Sequence, residues 1–284
     1  MIDTHAHLVT DDVKNYPPSP PSGSLNPVDL DNPMTVERLL EEMDGAGVDK
    51  AVLVQRGSIY GFDSSYVCDS AWRYPARLAA VCSIDATAAD CAERVRYWTD
   101  GRGAVGIRLM ELVKGADISW LDSPSARMAW RAALERNIPV CVHFFPWNRA
   151  EGLTRLCDIL VEMPDLTVVI DHFAAIRSDA GPPDHGVDDL LARVADFAGV
   201  TIKFTTIPLG RLHDAGIDAR PVVERIAALF GPERMMWGSD ITQSPGSYAH
   251  MVALGRSAVA HLPADAQQAI LVGTARRIYG RGWN

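Results

Sequence analysis

The stretch AVGIRLMELVKGADISWLDSPSARMAWRAALERNIPVCVHFF, residues 104–145, holds one complete structural unit of this chain. Its first apolar run, Ala104 to Met110, reads as a strand, and the SPSARMAWRAALERN segment behind it carries an amphipathic helical pattern. A second apolar run, Pro139 to Phe145, follows at once. Strand, helix and strand in succession is the signature of a parallel sheet with helical crossovers.

The same alternation extends in both directions. Upstream the apolar runs are Met1 to Leu8, Ala51 to Arg56 and Leu78 to Asp85; downstream they are Leu166 to Phe173, Val200 to Ile207 and Met235 to Ile241. Helical patterns separate them. In TVERLLEEMDGAG, Val36, Leu39, Leu40 and Met43 recur at i, i+3, i+4 and i+7, with Thr35 as N-cap and Gly45 or Gly47 as the stop. Two helical stretches close the chain. Eight strand–helix units in 284 residues predict a single-domain (β/α)8 TIM barrel over residues 1–284. A doubly wound open sheet shares the alternation, but no G-x-G-x-x-G or G-x-x-x-x-G-K-[ST] loop follows any strand.

The bulk chemistry narrows the partners. A formal charge of −9 argues against nucleic acid or an anionic membrane surface. No run of eighteen apolar residues and no basic-then-apolar leader is present, so a cytoplasmic protein is expected. The five cysteines form no C-x-x-C pair and read as free thiols. Oligomeric state is not legible, and a homo-oligomer is compatible with the sequence.

Active sites of such barrels form at the C-terminal ends of the strands. Those ends carry His5 and His7 on strand one, Gln55 and Arg56 on two, Asp85 on three, and Arg108 then Glu111 on four. Strand five adds His143, six Asp171 and His172, seven Lys203 and eight Asp240. Four of the eight histidines thus fall near the mouth. In a strand, residues i and i+2 share a face, so His5 and His7 can grip one ion. His5, His7, His143 and Asp240 would make a mixed nitrogen–oxygen site for one divalent metal, zinc or manganese, with room for water.

Each residue has a structural alternative. His143 reads equally as a hydrogen-bonded core histidine, and Asp240, after Gly-Ser, as a helix cap or Asx-turn. His172 can orient Asp171; Arg108 and Arg56 can be salt-bridge partners; a buried Lys203 needs an anion. His185, His213, His250 and His261 read as surface residues. The proline-rich stretch at 13–33 is too rich in proline for helix or strand. It lies between strand one and the first helix, so it is expected to wall the pocket, with Tyr16 as its only aromatic side chain.

The ordered set IDTHAHL, GIRLM, IPVCVHFFP, LTVVIDHFA, VTIKFTT and MMWGSDI, with the tail ILVGTARRIYG, resembles the amidohydrolase-related branch of the amidohydrolase superfamily. That resemblance implies a metal held by His5, His7, His143 and Asp240, with Asp240 shuttling a proton and His172 as a ligand or an acid/base group. No lysine stands in GIRLM where binuclear members bridge two ions, so one metal is implied. A pyrone lactonase of this branch works without metal, so the resemblance does not require one. Compact length and the VLVQRGSIYGFDSSY and GIRL stretches resemble the lactonases; the runner-up is the non-oxidative decarboxylase type, and a non-catalytic metal- or ligand-binding barrel comes third. Two departures stand out, the DITQSPG continuation with Pro245 displaced and Thr274 where asparagine is usual. The expected enzyme opens a small carboxylated or sugar-derived lactone, with Asp240, His172 and Arg108 catalytic and Arg108, Arg56 and Tyr16 contacting substrate. Arginine suits that contact because its guanidinium forks onto a carboxylate.

Overall fold

In the computed structural model, which describes residues 1–25 and 28–283, eight parallel strands follow one another in chain order. They are β1 (Ile2–Ala6), β2 (Lys50–Val54), β3 (Leu78–Ser83), β4 (Gly106–Met110), β5 (Val140–His143), β6 (Val168–Ile170), β7 (Val200–Thr205) and β8 (Met235–Gly238). A parallel bridge between Ala6 and Ile241 brings the chain after β8 back to β1. This is the expected (β/α)8 barrel.

Strand alternation sorts side chains into two layers. On β5, Val140 and Val142 join the outer core beneath the helices, where Leu39, Trp130, Leu156 and Ile226 meet the sheet. Cys141 between them points inward with Val52, Val54, Val81, Val169 and Met236. Ile278 and Tyr279, from the closing helix Thr274–Tyr279, belong to that inner cluster and plug the barrel at its N-terminal end.

Local signals hold where helices begin and end. Helix Val36–Ala46 starts at Thr35, whose hydroxyl accepts from the Arg38 amide at 3.4 Å. It stops at Gly47, whose φ of 68° only glycine takes freely. The strands, by contrast, are shorter than their apolar runs. β6 ends at Ile170 because His172, Phe173, Ala174 and Ala175 all adopt left-handed φ, at 52°, 54°, 54° and 51°. β7 yields at Thr205 to a helix, Thr206–Asp214, and Asp240 after β8 has φ 58°. L-residues enter this region rarely, and such departures concentrate at functional sites.

The proline-rich segment runs along the outside of the β2 end. The Ser19 amide donates to the Ile59 carbonyl at 2.8 Å, and Leu25 and Leu30 pack on Val9, Ile59 and Tyr60. Asn26 and Pro27, within that segment, lie outside the described residues. Among the described residues, no helix is long and apolar enough to cross a membrane.

Candidate active site

The floor of the barrel mouth is built from both ends of the chain. The His7 Nδ1 lies 2.7 Å from the Val54 carbonyl oxygen, which can only accept, so Nδ1 carries the proton and Nε2 presents its lone pair. That Nε2 stands 3.2 Å from Asp240 Oδ1. His5 Nε2 lies 3.5 Å from the same oxygen, is buried, and makes no hydrogen bond. Ser244 donates its hydroxyl to Asp240 Oδ2 at 3.2 Å. Gly238 permits the arrangement: a Cβ there would come 2.4 Å from the Cβ of His5.

Burial holds the His5 imidazole well below the usual histidine range and lowers that of His7, so both rings are neutral. Ligand atoms of His5, His7 and Asp240 lie within 4.8 Å of one another. Two neutral imidazoles and a carboxylate form a donor set for a zinc-type ion, and the partnerless Nε2 of His5 is an atom such an ion would satisfy. The residues fit a metal.

Behind His5 lies an ionic hub that already holds positive charge. Asp171 Oδ1 is 3.0 Å from Lys203 Nζ and 3.4 Å from His5 Nδ1, while Oδ2 accepts from Arg108 Nε at 2.9 Å. Burial alone would raise the Asp171 carboxyl, but Lys203, His5 and Arg108 together hold it well below its ordinary value. His5, Asp171 and His172 are also close enough to share an ion. The Lys203 ammonium already stands between two of them, 3.2 Å from His5 Nδ1. Like charges repel strongly at that range in a buried site. His5, His7 and Asp240 are therefore the better cation site, and Lys203 takes the structural ion-pair role.

Asp171 and His172 are chain neighbours, and in a continuing strand they would face opposite ways. The left-handed turn after β6 brings both inside. The His172 ring sits 4.6 Å from that of His143 and 4.9 Å from that of His5, with Nδ1 2.6 Å from Thr205 Oγ1. His143 turns its Nδ1 to Arg108 Nη2 at 2.8 Å, away from the His5–His7–Asp240 group. Burial, aided by His143 and His5, keeps His172 well below the usual range; burial and then Arg108 push His143 down to about 3.

A cavity of about 280 Å³ opens above this floor, lined by His7, Arg108, His143, His172 and Asp240. Its wall is apolar, with Met110, Leu112, Phe145, Ile176 and Ile207, and its rim carries Ser58, Arg211 and Gln243. Glu111, after β4, accepts from Trp147 Nε1 at 2.9 Å and Asn148 Nδ2 at 2.7 Å, tying two mouth loops together. Phe145 and Trp147 stack at 4.6 Å on that tie. A groove of about 820 Å³ lies beside the cavity, but its arginines have carboxylates beside them, Arg149 with Asp188, Arg225 with Asp184 and Arg177 with Asp179 at 3.9 Å.

Two residues expected to contact substrate stand elsewhere. Tyr16 donates its hydroxyl to Asp69 Oδ2 at 3.1 Å and does not line the cavity. Arg56 donates from Nη2 to the Thr242 carbonyl at 3.3 Å and lines a neighbouring cleft with Arg38 and Glu42. No described residue of 13–33 reaches the cavity. Sequence reasoning passed over Arg211, an exposed side chain with no partner among the described residues. Its place on the helix that directly follows β7 is the signal that could have found it.

Residues 2–281 match the family model described as amidohydrolase. The chain belongs to the amidohydrolase family. No curated protein sequence matches it. Among solved structures, a probable 2-pyrone-4,6-dicarboxylic acid hydrolase from Acinetobacter baumannii, with citric acid bound, superposes at TM-score 0.76 and 21% identity over 98% of each chain. A Burkholderia multivorans amidohydrolase with bound zinc gives 0.74 and 20%, again over 98% of each chain. A 5-carboxyvanillate decarboxylase from Novosphingobium aromaticivorans, with manganese and a nitrobenzoic acid, gives 0.68 and 14%, over 98% of this chain and 96% of its own. At these identities the likeness shows a shared amidohydrolase fold.

Proposed function

We propose that this amidohydrolase is a metal-dependent hydrolase that opens a small carboxylated lactone or related cyclic ester. The observation that carries the proposal is one cavity floored by a two-imidazole, one-carboxylate donor set and bearing two guanidinium groups, Arg108 and Arg211. The pyrone dicarboxylic acid hydrolase named above supports the substrate class, and the zinc-bound relative supports the ion.

A divalent ion held by His5, His7 and Asp240 would supply Lewis acidity to an ester carbonyl and acidify water. The chain's own groups do the rest. Asp240 is the carboxylate at the floor placed to accept a proton from attacking water and return it to the leaving alkoxide. His172, braced at Nδ1 by Thr205, turns its other nitrogen to the carbonyl oxygen as charge builds there. Arg108 keeps Nη1 free of partners among the described residues and, with Arg211 at the rim, orients the substrate carboxylate. The apolar wall excludes bulk water and strengthens these interactions.

The same wall would also suit a flat aromatic acid, and the decarboxylase relative makes carbon–carbon cleavage the second reading. Product analysis separates the two. The purified protein, assayed for metal content, is given carboxylated lactones in a pH-stat with carbon dioxide detection. Acid release without gas is the expected result. Gas release from aromatic acids selects the decarboxylase, and silence on both panels overturns both readings.

A further inference from the structure

Strand β1 does not keep one register along its length. Asp3 pairs with Ala51 and Ala6 with Leu53, so Thr4 and His5 together stand opposite the single residue Val52. This is a one-residue bulge in a parallel pair, where bulges are rare. The bulge decides which way the histidines face. Ala6, Ala51 and Leu53 belong to the outer core under the helices, whereas Val52 and Val54 point into the barrel. Continued from Asp3 without the bulge, His5 would pair with Leu53 and face outward, and His7 would follow it. With the bulge both turn inward, His7 beside Val54.

A bulge leaves a backbone amide without its ladder partner, and a buried orphan amide must be satisfied. Asp3 supplies the acceptor. Its Oδ1 accepts from the His5 amide at 2.9 Å and, across the seam of the barrel, from the Ser239 amide at 2.8 Å. Its Oδ2 accepts from the Tyr248 hydroxyl at 3.0 Å, at the start of helix Tyr248–Val259, and the carboxylate is fully buried. The seam has little else to align it. Each neighbouring pair from β1–β2 to β7–β8 has at least three registered residue pairs. Between β1 and the chain after β8, the described residues form one bridge, Ala6 with Ile241. Asp240 directly follows the clamped Ser239, holds a left-handed φ of 58°, and donates its amide to the His5 carbonyl at 2.7 Å. Such a backbone conformation persists only where its surroundings over-determine it.

We infer that Asp3 is a positioning residue of the site: one carboxylate oxygen holds both the bulge that turns His5 and His7 inward and the seam that sets Asp240 opposite them. The position requires a fixed acceptor and not a charge. An asparagine would offer its amide oxygen to both N–H groups and its NH2 to the Tyr248 oxygen. The effect on a bound ion rests on the metal-dependent reading above; the effect on the bulge does not.

Zinc titration, and the visible spectrum of cobalt(II) bound in place of zinc, read the site of the full chain without turnover. Asp3→Asn should keep the zinc Kd within about threefold and the wild-type cobalt spectrum. Asp3→Leu, similar in size but without an acceptor, should lose zinc affinity by about tenfold or more and shift the cobalt bands. A merely structural role would lower stability and leave both readings of the folded protein unchanged. Wild-type affinity and spectrum in Asp3→Leu would overturn the inference, and so would their loss in a folded Asp3→Asn. If Asp3→Leu does not fold, Asp3→Asn still decides. Crystal structures of the variants read the backbone directly, with the bulge and the inward His5 kept in Asp3→Asn and lost in Asp3→Leu. A bulge unchanged in the leucine variant, or absent from the asparagine one, ends the inference. A wild-type chain that binds neither ion ends the metal-dependent reading, and the crystal structures then test Asp3 on their own.

Discussion

The inside of this barrel is two different materials stacked on the same strands. Low in the barrel, Val52, Val81, Cys141, Val169 and Met236 pack as an apolar layer. Two residues further along β5, β6 and β7 the inward positions become His143, Asp171 and Lys203, all tied to one another through Arg108 or His5. Packing in the lower layer is non-directional, so a side chain of similar volume can substitute. The upper layer is directional and charged, so removing one member strands the others without water or partner.

Asp171→Asn tests that contrast most severely. It leaves Lys203 and Arg108 buried with one formal anion fewer, and a loss of about 3–5 kcal/mol is expected from urea denaturation. Stability within about 1 kcal/mol of the parent would show the hub to be less coupled than its distances imply.

Asp240→Asn sits in the same layer but at its wet edge. The fold should persist while turnover falls by about a hundredfold or more, since the variant retains shape and loses the proton acceptor. Rates near those of the parent would remove Asp240 from the mechanism.

Acid should separate the layers without mutation. In metal-free protein, burial keeps His5, His7, His143 and His172 neutral, with His143 pushed down to about 3. The unfolded chain takes up those protons first as pH falls below about 6.5, so stability present above that value is lost on the way down. Each ring adds a slope of about 1.4 kcal/mol per pH unit. Melting temperature should therefore drop steadily between pH 7 and 5, and a flat profile would contradict the buried, neutral rings.

Met236→Leu is the mildest probe. It stays in the apolar layer and conserves volume, and a change under about 1.5 kcal/mol is expected in the same denaturation experiment. A larger loss would mean that the lower layer is as particular as the upper.

Legibility in the sequence follows the same division. Strands and helices were readable because alternation and helical spacing are local, as Thr35 and Gly47 show at the ends of one helix. His5, His7 and Asp240 were readable as site candidates because a barrel gathers strand ends whatever the loops do. Tyr16 was expected at the pocket because its loop follows strand one, and Arg56 because it ends strand two; long-range contacts, Tyr16 with Asp69 and Arg56 with the Thr242 carbonyl, place both elsewhere. His143 was read by its type, as a nitrogen ligand; its Nδ1 contact with the Arg108 guanidinium at 2.8 Å leaves no trace in spacing. Glu111 likewise appeared only as a strand-end carboxylate, because its partners Trp147 and Asn148 come from the next loop.

Tyr279 and Ile278, packed under the inner layer, make the barrel a blind-ended vessel. Arg211 stands exposed at the edge of the cavity above that closed end. On the lactone-opening reading proposed above, the product gains a carboxylate, so the departing molecule carries more negative charge to the Arg211 guanidinium than the arriving one did. Product lingering at the rim would then stand in the doorway of the next substrate, and removal of product, by dilution or by a following enzyme, would quicken the traffic.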